Sequence, residues 1–469
     1  MTSKEKVREF YNSVAGKRVR TKRKNWYYHR YLEKQYAFMI PEHSKILEIG
    51  CGTGELLNAV KPSAGVGIDF AEHMVAQARQ LFPDLQFFTV DAEDMKLNET
   101  FDYVIISDVM HILYDIQGAL KNIRTHCHSG TKIIISNYNF LWEPVLRLSE
   151  KLHLKQRTPI SNWLTNNDIY NLLEIEGFQV IKSEQKILLP KYIPLLSFLF
   201  NKIIVNLPFF NLFGLVSFIV ARPYETDSGK NYSVSIVVPA RNEKGNIENA
   251  IRRTPQFGLK QEFIFAEGNS SDQTYEEILR VKEAFPGKDI QVLKQSGKGK
   301  GNAVREGFEK ASGDILMILD ADLTTPPEDL PKFYEALSRG RGEFINGCRL
   351  VYPMEKQAMR FLNLIGNKFF SWFFSYLLGQ RLKDTLCGTK VLFKKDYQDI
   401  VSNRHYFGEF DPFGDFDLLF GAAKLNLKII EVIVRYKDRE YGSTQISRFR
   451  HGWLLIKMSL FAATKIKFR

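Results

Sequence analysis

Short apolar runs that stop at a carboxylate or a glycine turn set the rhythm of this chain. Residues 45–49, KILEI, run into Gly50-Cys51-Gly52-Thr53-Gly54. Three further runs end at Asp69 (GVGID), Asp91 (FFTVD) and Asp108 (YVIISD). Branched and aromatic runs without strict alternation are the pattern of strands buried on both faces of a parallel sheet, and helix-forming stretches separate them. An antiparallel pair, residues 177–189 and 215–223, is expected to close this first sheet. Residues 223–232, with PYETDSGKN, read as a linker. A second set then begins at 234–238, 262–266, 315–319 and EFIN, before Gly347. The predicted fold class is α/β, with two doubly wound domains. The expected divisions are a basic segment at 1–39, domains at 40–222 and 233–445, and a basic amphipathic helix at 446–469.

In the first domain the glycine turn opens a helix at Glu55, and glycines let backbone approach a ligand closely. Asp69 lies 19 residues beyond Gly50, where a second strand presents a carboxylate to ribose hydroxyls. The G-x-G-x-G spacing departs from the G-x-G-x-x-G dinucleotide fingerprint. Over roughly residues 40–222 the chain resembles the class I S-adenosylmethionine-dependent methyltransferases, a Rossmann-like fold. That resemblance implies a cofactor site of Glu48, Gly50, Gly52, Asp69, Asp91 and Asp108, with the glycine loop at the methionine part, Asp69 at the ribose and Asp91 at the adenine. His111, Tyr138 and Asn139 fall near substrate-side strand ends. Methyl transfer needs mainly the positioning of nucleophile and sulfonium, so a structural role is equally open for each.

The second domain centres on residues 314–329, DILMILDADLTTPPED. Asp320 and Asp322 stand where a buried strand ends, the ligand edge of an open α/β sheet. Such a pair suits Mg²⁺ or Mn²⁺, with waters and substrate phosphates as the remaining ligands. Around it stand VVPARNE, EGNSSDQT, GKGKGNAVREGF, GCR, DTLCGTKVLF and VRYKDREYGST. These motifs resemble glycosyltransferase family 2, the GT-A nucleotide-diphospho-sugar transferase fold, over 233–445, nearest the dolichyl- and polyprenyl-phosphate sugar synthases. The resemblance implies that Pro239, Arg241, Glu243, Glu267 and Lys300 bind the nucleotide sugar, that Asp320 and Asp322 hold the metal, and that Arg349, Lys390 and Arg439 meet phosphate. Gly268 and Thr324 depart from the family pattern and leave the nucleotide and sugar open.

An inverting transfer needs a stabilised leaving group and a nucleophile in line. A glycan hydroxyl would also need a general base, for which Asp417 or Asp415 is the candidate. A lipid phosphate is anionic at neutral pH and needs none. Two readings follow. In the first, the chain transfers sugar to polyprenyl phosphate and methylates a second substrate. In the alternative it glycosylates a hydroxyl in surface-polysaccharide assembly, with the first domain a non-catalytic scaffold.

With 469 residues, 44% hydrophobic, the chain is long enough for more than one core. A net charge of +12 favours anionic partners. No nucleic-acid motif accompanies it, so phosphate ligands and anionic membrane rank above nucleic acid. Four scattered cysteines and a polar N-terminus, MTSKEKVREF, suit the cytoplasm. KRVRTKRKNWYYHR near the start reads as a solvated helical face or an active-site lid, with lipid-phosphate contact as a further reading. Residues 190–214 are apolar, and the uncharged run 203–221 approaches bilayer-spanning length, although Asn206, Pro208 and Asn211 interrupt it. A membrane-dipping helical hairpin is expected there. Residues 359–379 and the C-terminal helix mix aromatic, apolar and basic residues, as helices lying in the headgroup plane do. The expected location is the cytoplasmic face of a membrane, by peripheral contact.

Overall fold

A computed structural model describes residues 3–152, 162–224, 230–350, 361–406, 415–437, 439, 441–442 and 448–469. Its contacts separate two compact units, Met1–Tyr224 and Glu225–Lys467.

The first unit opens with helices α1 (Ser3–Lys24) and α2 (Trp26–Met39). Tyr28, Leu32, Tyr36 and Met39 of α2 recur at helical spacing and are buried as one stripe. Seven strands follow: β1 (Lys45–Ile49), β2 (Ala64–Asp69), β3 (Gln86–Thr89), β4 (Phe101–Ser107), β5 (Cys127–Tyr138), β6 (Phe178–Lys186) and β7 (Val216–Pro223). Their order is β3-β2-β1-β4-β5-β7-β6. β1 to β5 pair in parallel, and β7 runs antiparallel to both β5 and β6. Successive β1 side chains feed opposite layers: Ile46 packs with Tyr36 and Phe218, whereas Leu47 and Ile49 pack with Leu120 and Ile123. Glu48 therefore shares the face of Ile46.

The expected helical hairpin at 190–214 does not form. The segment is a string of short turns, Leu196–Phe198, Leu199–Ile203, Ile204–Asn206 and Phe210–Phe213. Its asparagines explain why. Asn201 accepts from the backbone of Leu188 and Leu189 and donates to Leu189 O at 2.7 Å. Asn206 accepts from the buried Lys186 at 2.6 Å. These bonds fold the segment back on the end of β6, and Pro194 and Pro208 deny it a continuous helical ladder.

The second unit repeats the architecture with β8 (Val234–Ala240), β9 (Gln261–Glu267), β10 (Asp289–Lys294), β11 (Ile315–Ile318), β12 (Phe344–Cys348), β13 (Lys390–Phe393) and β14 (Ile429–Ile433). The order is β10-β9-β8-β11-β13-β12-β14, with β13 antiparallel to both neighbours. Ile236, Val238, Phe263 and Phe265 form the centre of one packed layer. Helices Phe361–Leu378 and Arg448–Ala462 occupy most of the two stretches expected to be amphipathic; residues 359–360 and 446–447 lie outside the described residues. Among the described residues no helix is long and apolar enough to cross a membrane.

Both sheets reverse their winding beside the first strand, between β1 and β4 and between β8 and β11. Loops leaving those strand ends turn in opposite directions and leave a crevice.

Candidate functional site

In the first unit the crevice is a cavity of about 360 Å³ lined by Glu48, Gly50, Gly52, Asp69, Asp91 and Asp108. The sequence singled out these six, and the fold brings them together. Gly50 has φ +68°, and a Cβ there would overlap the side chain of Val109. The turn at the first strand end therefore requires glycine. Asp69 Oδ2 accepts from Gly52 N and Oδ1 from Ala71 N, each at 2.9 Å, which fixes the carboxylate at the end of β2. Burial nevertheless raises its pKa, against those two bonds.

Glu48 Oε2 is buried without a hydrogen-bond partner. Burial pushes its carboxyl up to about 8, and Glu55 adds to the shift. A buried polar atom without a partner at the rim of a cavity marks a place where a ligand donor fits.

Helix α1 also lines the cavity, through Lys4, Tyr11, Arg18 and Lys22. Lys4 bridges Asp91 at 2.6 Å and Glu93 at 2.8 Å, and Lys22 reaches Glu55 at 2.5 Å. The basic segment thus lies against carboxylates that line the cavity. Its signal was present as the spacing 4, 11, 18, which keeps one helical face. At the fourth strand end Asp108 takes a bond from Tyr28 Oη at 2.7 Å. His111 and Tyr138 lie with ring centroids 5.7 Å apart. Asn139 is structural: it caps Leu141 N and donates to the carbonyls of Leu212 and Gly214.

In the second unit the crevice is built by ion pairs. Lys300, at the start of its helix, meets Asp320 at 2.6 Å. Arg439 spans two strand ends, reaching Asp322 at 2.6 Å and Glu243 at 2.8 Å. Burial works to raise the pKa of Asp320, but Lys300, with help from Arg349 and Lys390, holds it below the ordinary carboxylate value. Glu243 moves the other way: burial raises it despite Arg439. Thr324 donates to Asp322 through its hydroxyl at 2.9 Å and its backbone N–H at 3.1 Å, so the departing residue of the motif braces the second carboxylate.

Four of the expected site residues are engaged in contacts within the protein. Lys390 is fully buried, its ammonium bonded to Asn346 Oδ1 at 3.0 Å and Cys387 O at 2.5 Å. It acts on Asp320 through space and does not lie at the crevice surface. Arg349 is held bidentately by the wholly buried Asp384 at 2.7 and 2.9 Å. Glu267 is buried and accepts from Ser270 N at 2.6 Å, closing its own turn. Asp417 pairs with Arg404 at 2.9 Å and Arg305 at 3.8 Å, with its side chain only 7% exposed. Arg241 is exposed beyond β8, and Pro239 is half-buried on it. The side chain of Asp415 lies outside the described residues.

Gly388 escaped the sequence reading. A Cβ at this position would overlap both the Asp320 carboxylate and Lys300 Nζ. Only its place in DTLCGT hinted at this, and the contact itself is tertiary.

A glycosyl transferase family 2 model matches residues 235–399, and a methyltransferase domain model matches residues 47–133. The chain carries a methyltransferase domain followed by a glycosyltransferase family 2 domain. The glycosyltransferase domain is 38% identical over 120 residues to the dolichol-phosphate mannosyltransferase of Pyrococcus furiosus, covering 25% of this chain and 33% of that one. It is 35% identical over 219 residues to the undecaprenyl-phosphate 4-deoxy-4-formamido-L-arabinose transferase of Edwardsiella ictaluri, covering 45% and 62%. The chain thus spans between one third and two thirds of the length of these relatives. The methyltransferase domain is similar to the magnesium protoporphyrin IX methyltransferase of Synechocystis, at 17% identity and a TM-score of 0.34, over 47% of this chain and all of that one. The methyltransferase domain implies S-adenosylmethionine as cofactor, and the unpartnered Glu48 oxygen in the first crevice has the chemistry to meet a cationic ligand.

Proposed function

We propose that the glycosyltransferase domain moves a sugar from a nucleotide sugar to polyprenyl phosphate, and that the methyltransferase domain methylates a second substrate with S-adenosylmethionine. The observation that carries the first half is the pairing of Asp320 with Lys300 and of Asp322 with Arg439 at the switch-point crevice. Two hard carboxylates and two cations at one strand end are what a nucleotide diphosphate and its counter-ion require. The names of the relatives supply the lipid-phosphate acceptor.

Asp320 and Asp322 fit a Mg²⁺ or Mn²⁺ ion, since a hard cation bound chiefly by substrate phosphates needs only one or two protein carboxylates. When bound, the ion neutralises charge developing on the leaving diphosphate. With the carboxylates so engaged, Lys300 and Arg439 are left to meet the donor phosphates. Thr324 keeps the Asp322 carboxylate oriented, and Glu243 does the same for the Arg439 guanidinium. The buried Lys390 sustains the ionised form of Asp320 from behind. The Asp417 carboxylate is engaged by Arg404 and Arg305, which favours a phosphate acceptor over a hydroxyl that would need it as a base.

The expected location is the cytoplasmic face of a membrane. Supporting it, helix Phe361–Leu378 exposes Phe369 and Trp372, and helix Arg448–Ala462 exposes Trp453 and Leu460. The deciding experiment supplies the full chain with Mg²⁺ or Mn²⁺, detergent-dispersed polyprenyl phosphate and radiolabelled nucleotide sugars. Label entering the organic phase, and lost in Asp322→Ala, establishes the reading. Absence of lipid label with every donor, alongside transfer to a glycan, would replace it with the hydroxyl-acceptor reading.

A further inference from the structure

The segment between β6 and β7 is built inside out. Three of its polar side chains, Ser197, Asn201 and Asn206, are buried, and they hydrogen-bond to the end of β6, to Tyr27 Oη and within the segment itself. Many of its apolar side chains face outward, among them Phe198, Phe210 and Leu212, while Val205 is buried. The two most exposed are Leu195 at 85% and Phe209 at 65%. Both follow a proline and sit at positive φ, +64° and +71°. Bulky residues adopt that conformation only where the surrounding structure imposes it, and such strain gathers at functional positions. The fold therefore holds two large apolar tips out of the surface at a cost in backbone energy.

The neighbouring surface continues the patch. Asn139 and Trp142 bond to the carbonyls of Leu212, Phe213 and Gly214, joining helix Glu143–Lys151 to the segment. That helix exposes Val145 and Leu148. At another edge Tyr192 packs between Trp26 and Tyr27, with ring centroids 5.5 and 5.6 Å apart. Tryptophan and tyrosine favour the headgroup level of a bilayer. The segment itself is basic: residues 187–224 contain no Asp or Glu, while Lys191 and Lys202 stand within it, and on the flanking helix Glu143 is paired with Arg147.

We infer that this face of the methyltransferase domain is a docking surface for an anionic lipid bilayer, with Leu195 and Phe209 inserted among the acyl chains and Lys191 and Lys202 at the headgroup phosphates. An apolar projection ringed by lysines and aromatic side chains is the form of a monotopic membrane contact. A second copy of the chain would meet the same two lysines, whereas an anionic leaflet complements them. The inference rests on the membrane-borne acceptor of the preceding reading and deepens it, because it assigns the contact to the domain without the sugar-transfer site.

The test is cosedimentation of the full chain with phosphatidylcholine vesicles, with and without one quarter phosphatidylglycerol. The wild type is expected to bind, and on the order of tenfold more strongly to the anionic vesicles. Leu195→Ser with Phe209→Ser should lower the partition coefficient on the order of a hundredfold, with an unchanged circular-dichroism melt. Lys191→Gln with Lys202→Gln should erase the anionic preference and leave neutral binding. Double-serine protein that sediments as the wild type does would overturn the inference. So would lipid-free dimerisation that the serines abolish, in a chain that ignores vesicles. Sugar transfer to detergent-dispersed acceptor separates this from the functional reading. If the serines spare it, docking alone has been removed; if the wild type binds vesicles but never labels lipid, the transfer reading alone fails.

Discussion

Lys300 Nζ lies 2.6 Å from Asp320 Oδ1, so the first carboxylate of the D-A-D turn draws its counter-charge from the glycine turn that opens the Lys300–Lys310 helix. The pair sets the ionisation of Asp320. A carboxylate whose folded pKa lies below its unfolded value, about 3.9, stabilises the fold above that pH and loses the contribution as pH falls through the folded pKa. Lys300→Met should therefore shift the acid limb of unfolding upward in pH, and should cut sugar transfer on the order of 10²-fold. Acid titration by circular dichroism and the transfer assay read the two effects. An unchanged acid limb would show that Lys300 does not govern Asp320.

Gly388→Ala places a methyl group against Asp320 and Lys300 together. Overpacking of this kind costs about 1–3 kcal/mol, and here the group displaced is the Asp320 carboxylate. Sugar transfer should fall at least tenfold, while methyl transfer in the same chain stays at the wild-type rate. Equal loss of both activities would mean the substitution acts through global unfolding.

Asp417→Asn distinguishes a structural from a catalytic carboxylate. Removing it leaves Arg404 and Arg305 without their anion, at about 3–5 kcal/mol for a buried ion pair. Unfolding in urea should show that loss, with sugar transfer per folded molecule reduced less than tenfold. A fall of about 10²–10⁴ in the rate without loss of stability would instead mark Asp417 as a general base.

Glu48 and His29 give the methyltransferase domain a pH signature. Burial lifts Glu48 to about 8, so between the unfolded value near 4.3 and pH 8 the native state holds the extra proton. Its contribution is lost as pH rises. Burial, with Lys22 and Arg18, lowers His29 to about 3, so His29 acts in the opposite sense below its unfolded value near 6.5. The two oppose each other up to about pH 6.5, and Glu48 acts alone from there to 8. Stability should decline over that upper window, and Glu48→Gln should flatten the decline. S-adenosylmethionine, a cation, should release a proton on binding at pH 7 in the wild type and not in Glu48→Gln, which calorimetry in two buffers measures. Equal proton release from both proteins would assign the proton elsewhere.

Much of the first crevice was legible in sequence because Asp69, Asp91 and Asp108 each end an apolar run. A strand buried on both faces must be apolar along its length, so the first ionisable residue after it marks the ligand edge. That logic located Asp69, Asp91 and Asp108, and likewise Asp320 and Asp322, whereas Glu48 lies within β1 and came only from the family resemblance. It says nothing about partners. Arg349 and Lys390 looked alike as free cations near phosphate, yet one is clasped by Asp384 and the other is sealed against Asn346. Both partners are distant in sequence and carry no local signal. The apolar segment misled for a related reason: its hydropathy suggested a continuous hairpin, but Asn201 and Asn206 had tertiary bonds available that a helix interior could not supply.

The sequence by itself determined the two successive α/β sheets, the glycine turn of the first and the carboxylate pair of the second. Each follows from short-range rules: which side chains tolerate burial on both faces, and which backbone turns demand glycine. Only the tertiary structure decided which charges meet, that Arg439 joins Asp322 to Glu243, that Gly388 abuts Asp320, and that Leu195 and Phe209 point away from the core. Coulomb pairing and packing depend on distance in space, and the order of residues along the chain does not encode that distance locally.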